Sequence, residues 1–373
     1  MLDLSDLWTP MRGAVTDAKK DAWLRSRSIK FHGFPEWPLP DEETWREDPF
    51  SNNTWKLWYH CLTWLYVPAA IFDSEGDTVH LDLVRRYTLD WMSIHASAFM
   101  AEPSDIAWDD HAIAYRSTFL IYVYRKYFVT DPELADAFRS SMALHARLLY
   151  GFLRRPEFYG NNNGVFHCFA LLNLAAAVPE VALPPEYKPD AEQRLFELLD
   201  EMIDTREGVT REQAAEYQYI ALELVGQVIE YSRFFGLDDE NVRVSELRGL
   251  MTRLVDFAFA MRWPDGSVPA VGDTWLYWNG WSRPLWEMLE GYVASGYGSE
   301  ATKQAIRQLR EGTAPNASEA TDVTIYPRSG YLLVRGAAWA VFMKAGPSVH
   351  SHGHHDHLNV QMFLDGELLL VDS

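Results

Sequence analysis

The sequence predicts a multidomain α+β chain: paired helices packed in a ring, then the start of an antiparallel β-sandwich. Three observations carry that prediction. From Asn53 to Glu311 apolar residues recur at three- and four-residue intervals, as at Phe119, Tyr122, Val123 and Phe128, the period of an amphipathic helix. Near Asp322 the period shortens to two, with short runs such as Tyr331-Leu332-Leu333-Val334-Arg335 and Trp339-Ala340-Val341-Phe342-Met343 bounded by Ser329-Gly330 and Gly336-Ala337. Between the two regimes lies Thr313-Ala314-Pro315-Asn316-Ala317-Ser318, the composition of a linker.

Three regions follow: an irregular segment over 1–52, a helical domain over 53–312 and an incomplete β domain over 321–373. The first is rich in Trp and Pro, as in Phe34-Pro35-Glu36-Trp37-Pro38-Leu39-Pro40. In the second, helices are expected over 53–70, 78–99, 107–128, 131–154, 163–177, 190–205, 211–235, 241–262, 276–296 and 299–311. Pro103, Pro132, Pro156, Pro179, Pro184-Pro185 and Gly236 supply the breaks. Antiparallel succession of about ten such helices predicts pairs arranged in a ring. In the third, Asp365-Gly366 is a two-residue hairpin turn between strands at Leu358–Leu364 and Glu367–Val371. About fifty residues are too few for a sandwich to bury its own core, so the natural chain is expected to continue beyond Ser373.

Composition narrows the partners. The chain has 373 residues, 48% of them hydrophobic, so a large core is within reach. A net charge of -20 argues against nucleic acid and anionic membrane surfaces as general partners. No run of apolar residues is long enough to span a bilayer, and Met1-Leu2-Asp3-Leu4-Ser5-Asp6 lacks the basic start of a secretory signal, which reads as cytoplasmic for the chain as it stands. Cys61 and Cys168, the only cysteines, sit in apolar helical patterns and read as buried free thiols. The 15 tryptophans offer flat faces that suit sugar rings as well as cores.

The densest chemistry lies near the end of the chain. His350, His352, His354, His355 and His357, with Asp356, fall within eight residues, a concentration of metal-ligating and proton-exchanging groups that a surface loop does not need. A hairpin turning at Asp365-Gly366 brings His354 beside Asp372, an imidazole and a carboxylate of the kind that ligate one structural zinc; no organic cofactor is indicated. Three further stretches could carry chemistry. Asn161-Asn162-Asn163-Gly164 opens a helix, either as N-capping chemistry or as amide donors to a bound carboxylate. Glu212 to Tyr219 places Tyr217 on an amphipathic helix, where a tyrosine is ordinarily core or rim. Trp108-Asp109-Asp110-His111 precedes Arg116, and an ion pair is the plain reading there.

Together these motifs resemble the heparinase II/III-like polysaccharide lyases and their alginate-lyase relatives. The resemblance runs from Asn53-Thr54-Trp55 to the end and is most specific at His352-Gly353-His354-His355-Asp356-His357-Leu358 through Asp372. It implies an (α/α) toroid packed on an antiparallel β-sandwich. It also implies β-elimination on a uronic-acid-containing, anionic polysaccharide. The family's Asn-Asn-His-Gly matches Asn161-Asn162-Asn163-Gly164, its Glu-x-Ser-x-x-Tyr-His matches Glu212 to Gln218, and its Trp-x-x-His and Arg stretch matches Trp108, His111 and Arg116. By that match Asn162 and Asn163 neutralise the substrate carboxylate, Tyr217 carries protons, and His352 is the catalytic histidine on the sandwich side. His111, Arg116 and Gln218 contact substrate, and His354 and Asp372 hold zinc.

Two departures stand out. Asn163 replaces the family's histidine, and Gln218 replaces the histidine after the tyrosine. Loss of the first favours proton transfer by Tyr217 from one face of the sugar, with His167, one helical turn on, as a stand-in only if it faces the same way. It also keeps open a non-catalytic polysaccharide-binding homologue. His352-x-His354-x-Asp356-His357 further fits a two-zinc hydrolase motif, but 349 mostly helical residues precede the cluster that opens at His350, the wrong context for that fold. An (α/α)-barrel glycoside hydrolase would need paired carboxylates, for which Asp109-Asp110 and Asp273 are candidates.

Overall fold

The computed structural model describes residues 15–40, 42, 44–98, 106–155, 162–237, 241–272, 282–311, 322–336, 339–346 and 358–370. The chain divides into two compact units, one of residues 1–195 with 234–236 and one of 196–233 with 237–373. The expected linker, 313–320, lies outside the described residues.

In the first unit the helices are α1 (Asp17–Ser26), α2 (Asn53–His60), α3 (Tyr66–Glu75), α4 (Thr78–Ala98), α5 (Asp110–Val123), α6 (Pro132–Leu153) and α7 (Asn162–Ala177), with most of α8 (Tyr187–Met202). A short ladder pairs β1 (Ser28–Ile29) with β2 (Trp37–Pro38). Boundaries over α4, α6 and α7 fall within a residue of the expected ones, and side chains cap two of these helices locally: Asp77 accepts from the Val79 N–H at the start of α4, and Asp131 accepts from the N–H groups of Glu133 and Leu134 at the start of α6, with Pro132 at the first position.

Two expectations fail here. A helix forms over Asp17–Ser26, where an irregular segment was expected. Only Ala22 and Trp23 of it are buried, so no apolar period announces it, and Thr16 caps it. The helix expected over 53–70 is broken, because Leu62 adopts a left-handed conformation with φ 59° and Pro68 then sits in the first turn of α3, where its missing N–H costs nothing.

α5 is the core of this unit. Every residue from Ala112 to Val123 is buried, and the helix packs on both α6 and α7. Even Arg116 is fully enclosed. Its Nε donates to His145 Nε2 at 2.9 Å, its Nη1 to the His60 carbonyl at 2.8 Å, and its guanidinium lies 3.8 Å from the Trp91 ring centre. Burial, together with the Arg116 charge, holds His145 well below the usual histidine range, so its ring is neutral and accepts at Nε2 while Nδ1 faces the Ser141 carbonyl. Cys61 and Cys168 are buried and in no disulfide, as expected.

The second unit holds most of α9 (Ala215–Phe235), with α10 (Val242–Met261), α11 (Ser282–Ala294) and α12 (Glu300–Arg310) and a ladder of β3 (Ile203–Asp204) and β4 (Val209–Thr210). Five strands, β5 (Asp322–Tyr326), β6 (Tyr331–Arg335), β7 (Trp339–Lys344), β8 (Asn359–Leu364) and β9 (Glu367–Leu370), form one antiparallel meander in chain order. The β8–β9 hairpin turns where expected, with positive φ at both Asp365 (48°) and Gly366 (89°). One face of the sheet buries Tyr331, Leu333, Phe342 and Phe363. Phe257 of α10 packs on Tyr331, and Trp263 stacks on Phe363 at 5.9 Å.

The helix expected from 211 begins only at Ala215, because Val209–Thr210 pair as a strand and Gln213 is left-handed with φ 54°. Gly208, at φ 70°, lets this ladder lie against α10; a Cβ there would meet the Arg253 backbone at 2.4 Å. The β5–β6 turn is fastened to the same ladder. Glu207 accepts from the N–H groups of Arg328 and Ser329, and Arg328 Nε donates to Asp204 at 2.8 Å.

Candidate active site

α5 and α7 bring their N-terminal turns together. Asp109 caps α5, and both Asp109 and Asp110 accept from the His111 N–H, at 3.0 and 2.9 Å. Asp110 then reaches across to α7, with Oδ2 3.2 Å from His167 Nε2. Asn162 and Asn163 form the first turn of α7, half-buried, one turn before His167. At such a helix start the backbone N–H groups and the helix dipole favour an anion, and two amide side chains add donors.

His111 faces this end on an aromatic bed. Tyr115, Phe166 and Trp58 lie with ring centres 4.6, 5.5 and 5.6 Å from its own. Burial pushes the imidazole down to about 4, against the opposing charge of Asp110, so the ring is neutral at physiological pH. Its Nε2 is buried and has no hydrogen-bond partner among the described residues. Burial and the Asp110 charge raise the Asp109 carboxyl. Burial would raise Asp110 too, but the hydrogen bond and charge of His167 outweigh it and leave Asp110 below the usual carboxylate range.

The expected site residues therefore separate. His111, Asn162 and Asn163 share the α5–α7 end. Arg116, expected to contact substrate, is a core residue with its guanidinium committed to His145, His60 and Trp91. His167 does not stand in for a second base, since its ring is fully buried against Asp110. The Asp109–Asp110 pair is engaged in capping α5 and holding His167, and Asp273 lies outside the described residues.

In the second unit Tyr217 lies half-buried in the first turn of α9. Glu212 and Gln213 are buried just before it. Gln218, also expected at the substrate, is fully buried. Its Oε1 accepts from the Thr210 N–H at 2.9 Å, and its Nε2 donates to the carbonyls of Gly208 at 2.9 Å and Leu254 at 3.3 Å. It clasps the β3–β4 ladder to α9 and α10, so its role is structural. His352, His354 and Asp372 lie outside the described residues. Among the described residues no three His, Cys, Asp or Glu side chains converge as a metal site, and no described helix is long and apolar enough to cross a membrane.

Residues 13–295 match the family model described as heparinase II/III N-terminus, and residues 319–373 match that of the heparinase II/III-like C-terminal domain. The chain belongs to the heparinase II/III family. None of the curated proteins matches it. Its fold is that of heparinase III, an (α/α) toroid of paired helices followed by an antiparallel sheet. A heparinase III structure superposes with a TM-score of 0.69 at 15% identity over 98% of this chain and 59% of that one. A mutant of the heparan sulfate lyase HepC from Pedobacter heparinus gives 0.61 at 17% identity, over 98% and 57%. A heparinase III solved with methylated lysines gives 0.61 at 14% identity, over 99% and 60%. The chain thus spans under two thirds of the length of these structures.

Two features of this heparinase II/III-family site were not anticipated from the sequence. The Asp110–His167 bond joins residues far apart in the chain, and no local pattern pairs them. The bed under His111 was visible only in part: Tyr115 follows His111 by one helical turn, but Trp58 and Phe166 come from other helices.

Proposed function

We propose that this chain is a polysaccharide lyase of the heparinase II/III type, cleaving a uronic-acid-containing polysaccharide by β-elimination. The observation that carries the reading is the half-buried Asn162–Asn163 pair at the N-terminus of α7 beside a neutral His111. The carbon 5 proton of a uronate is weakly acidic, and removing it places negative charge on the carboxylate. Amide and backbone donors aimed at that group stabilise the enolate-like intermediate. The proton leaves carbon 5, the bond from carbon 4 to the glycosidic oxygen breaks, a double bond forms between carbons 4 and 5, and the departing oxygen is protonated. Tyr217 is the proton carrier, with His352 as its partner from the sandwich side. Neutral His111 borders this end as a polar but uncharged neighbour of the sugar.

His354 and Asp372 are proposed as ligands of one structural zinc. An imidazole with a carboxylate suits zinc. Elemental analysis of the wild type and His354→Ala tests it, and absence of metal from both removes zinc.

A second reading, a polysaccharide binder without turnover, is favoured by Asn163 and by the structural use of Gln218, where the family motif has histidines. Incubation with heparan sulfate, hyaluronan and alginate separates the two. New ultraviolet absorbance from the unsaturated product supports the lyase; binding of the polymer without that absorbance supports the second reading.

A further inference from the structure

The C-terminal end of α10 gathers two arginines that no described carboxylate pairs. Arg262 is the residue after the last turn of α10, and its guanidinium lies 4.4 Å from the centre of the Trp286 ring on α11 and 5.9 Å from Phe259. Its Nε is buried without a hydrogen-bond partner among the described residues. Asp265, the nearest candidate acid in sequence, instead accepts from the N–H and hydroxyl of Ser267. Arg335 of β6 donates to the carbonyls of Ala260 and Arg262, which fixes a second cation at the same place. Burial lowers Arg262 against the charge of Asp265, and burial together with Arg262's charge brings Arg335 down to about 10 against the charge of Asp322.

Want of acids does not explain this arrangement. The chain carries 53 Asp and Glu against 33 Lys and Arg. Asp265 and Asp322 act on Arg262 and Arg335 through their charges but form no direct ion pair with them among the described residues, and a guanidinium over an indole keeps its planar fork for a carboxylate or sulfate in two parallel hydrogen bonds. An indole face beside it suits the apolar face of a sugar ring. The place in the fold is also informative. Gln218, next to Tyr217, is fastened to the Leu254 carbonyl, and Arg262 lies eight residues further along, about 12 Å at the helical rise. Arg262 acts on Tyr219 of the same α9 segment through its charge.

We infer that Arg262, on the Trp286 indole and backed by Arg335, is an oxyanion-binding subsite for the sugar unit next to the one that reacts. The inference rests on the lyase reading for the word "reacts" alone; as a binding site for an acidic oligosaccharide it stands by itself. It makes the enzyme selective for a charged neighbour and gives this acidic protein a local cation where its ligand needs one.

The test measures binding by calorimetry in a Tyr217→Phe background, so that ligand persists, with three probes of equal length: an unsulfated uronate oligosaccharide, a sulfated one, and a carboxyl-reduced unsulfated one. Arg262→Gln is expected to weaken an acidic probe about tenfold or more, leave the neutral probe unchanged, and make binding less salt-dependent. Arg262→Lys should recover part of the loss, and unchanged melting curves for both show that folding is intact. Loss with the sulfated probe alone assigns the group as sulfate, and loss with both as carboxylate. Equal binding by Arg262→Gln and its parent, or equal weakening of the neutral probe, overturns the subsite while leaving the lyase reading in place. Loss of binding in a protein whose Tyr217-intact parent forms no unsaturated product overturns the lyase reading alone. If the parent binds no acidic probe, both fall.

Discussion

His167 Nε2 lies 3.2 Å from Asp110 Oδ2, and this bond ties the second turn of α7 to the first turn of α5. Through it the asparagine pair and His111, each at a helix start, are held at one end of the first unit. The carboxylate also accepts from the His111 N–H, so one side chain positions both helices.

Asp110→Asn is therefore expected to lower stability by about 2 kcal/mol, through loss of the carboxylate charge that faces the His167 ring and accepts from the His111 N–H. The pH dependence follows from the direction of the shift. Asp110 sits below its ordinary value when folded, so its contribution is present above that value and lost as pH falls through the folded one. Urea unfolding of wild type and variant should thus converge as pH drops into the acid range. A constant difference down to the most acid pH would show that the charge is not what matters.

Gln218 is the clearest separation of structure from chemistry. With all its amide bonds spent on Thr210, Gly208 and Leu254, Gln218→Ala should cost about 2–3 kcal/mol of stability through buried groups left unsatisfied. Substrate affinity of the folded fraction should hardly move. A variant of normal stability with weakened binding would return Gln218 to the site.

Tyr217→Phe keeps the ring and its packing in the first turn of α9 and deletes only the hydroxyl. Folding should survive, with turnover lower by about 100-fold or more, the usual weight of a positioned acid or base. The rate of ultraviolet absorbance gain on a confirmed substrate measures it, and near-normal turnover would pass the role to His352.

Asn162→Ala should reduce turnover by about 100-fold through loss of a donor to the developing charge, with a smaller effect on KM. Asn163→His is the informative reversal, since it restores the residue of the family motif and should admit the opposite epimer at carbon 5. Product analysis on epimer-defined oligosaccharides reads that outcome, and unchanged epimer preference would place Asn163 outside the reacting face.

Much of the architecture was legible because it is local. Helix starts at α6 and α7, the change of period near Asp322 and the turn at Asp365-Gly366 each depend on residues within a few positions of one another. The same is true of the Asn162–Asn163 donors, since a helix start is a local event. The break at Leu62 was not legible, because a leucine has no intrinsic preference for the left-handed conformation and adopts it only where packing on both sides requires it.

The sequence by itself thus determined the order of helices and strands, the family motifs and the chemistry available at each. Which of those motif residues are enclosed in the core was decided by tertiary structure alone. Arg116 and His111 are five residues apart on one short segment, yet the packing of α5 on α6 and α7 encloses the first completely and leaves the second at the helix end. Gln218 follows Tyr217 directly and turns inward, because a helix sends adjacent side chains about 100° apart and only one of the two directions meets the β3–β4 ladder.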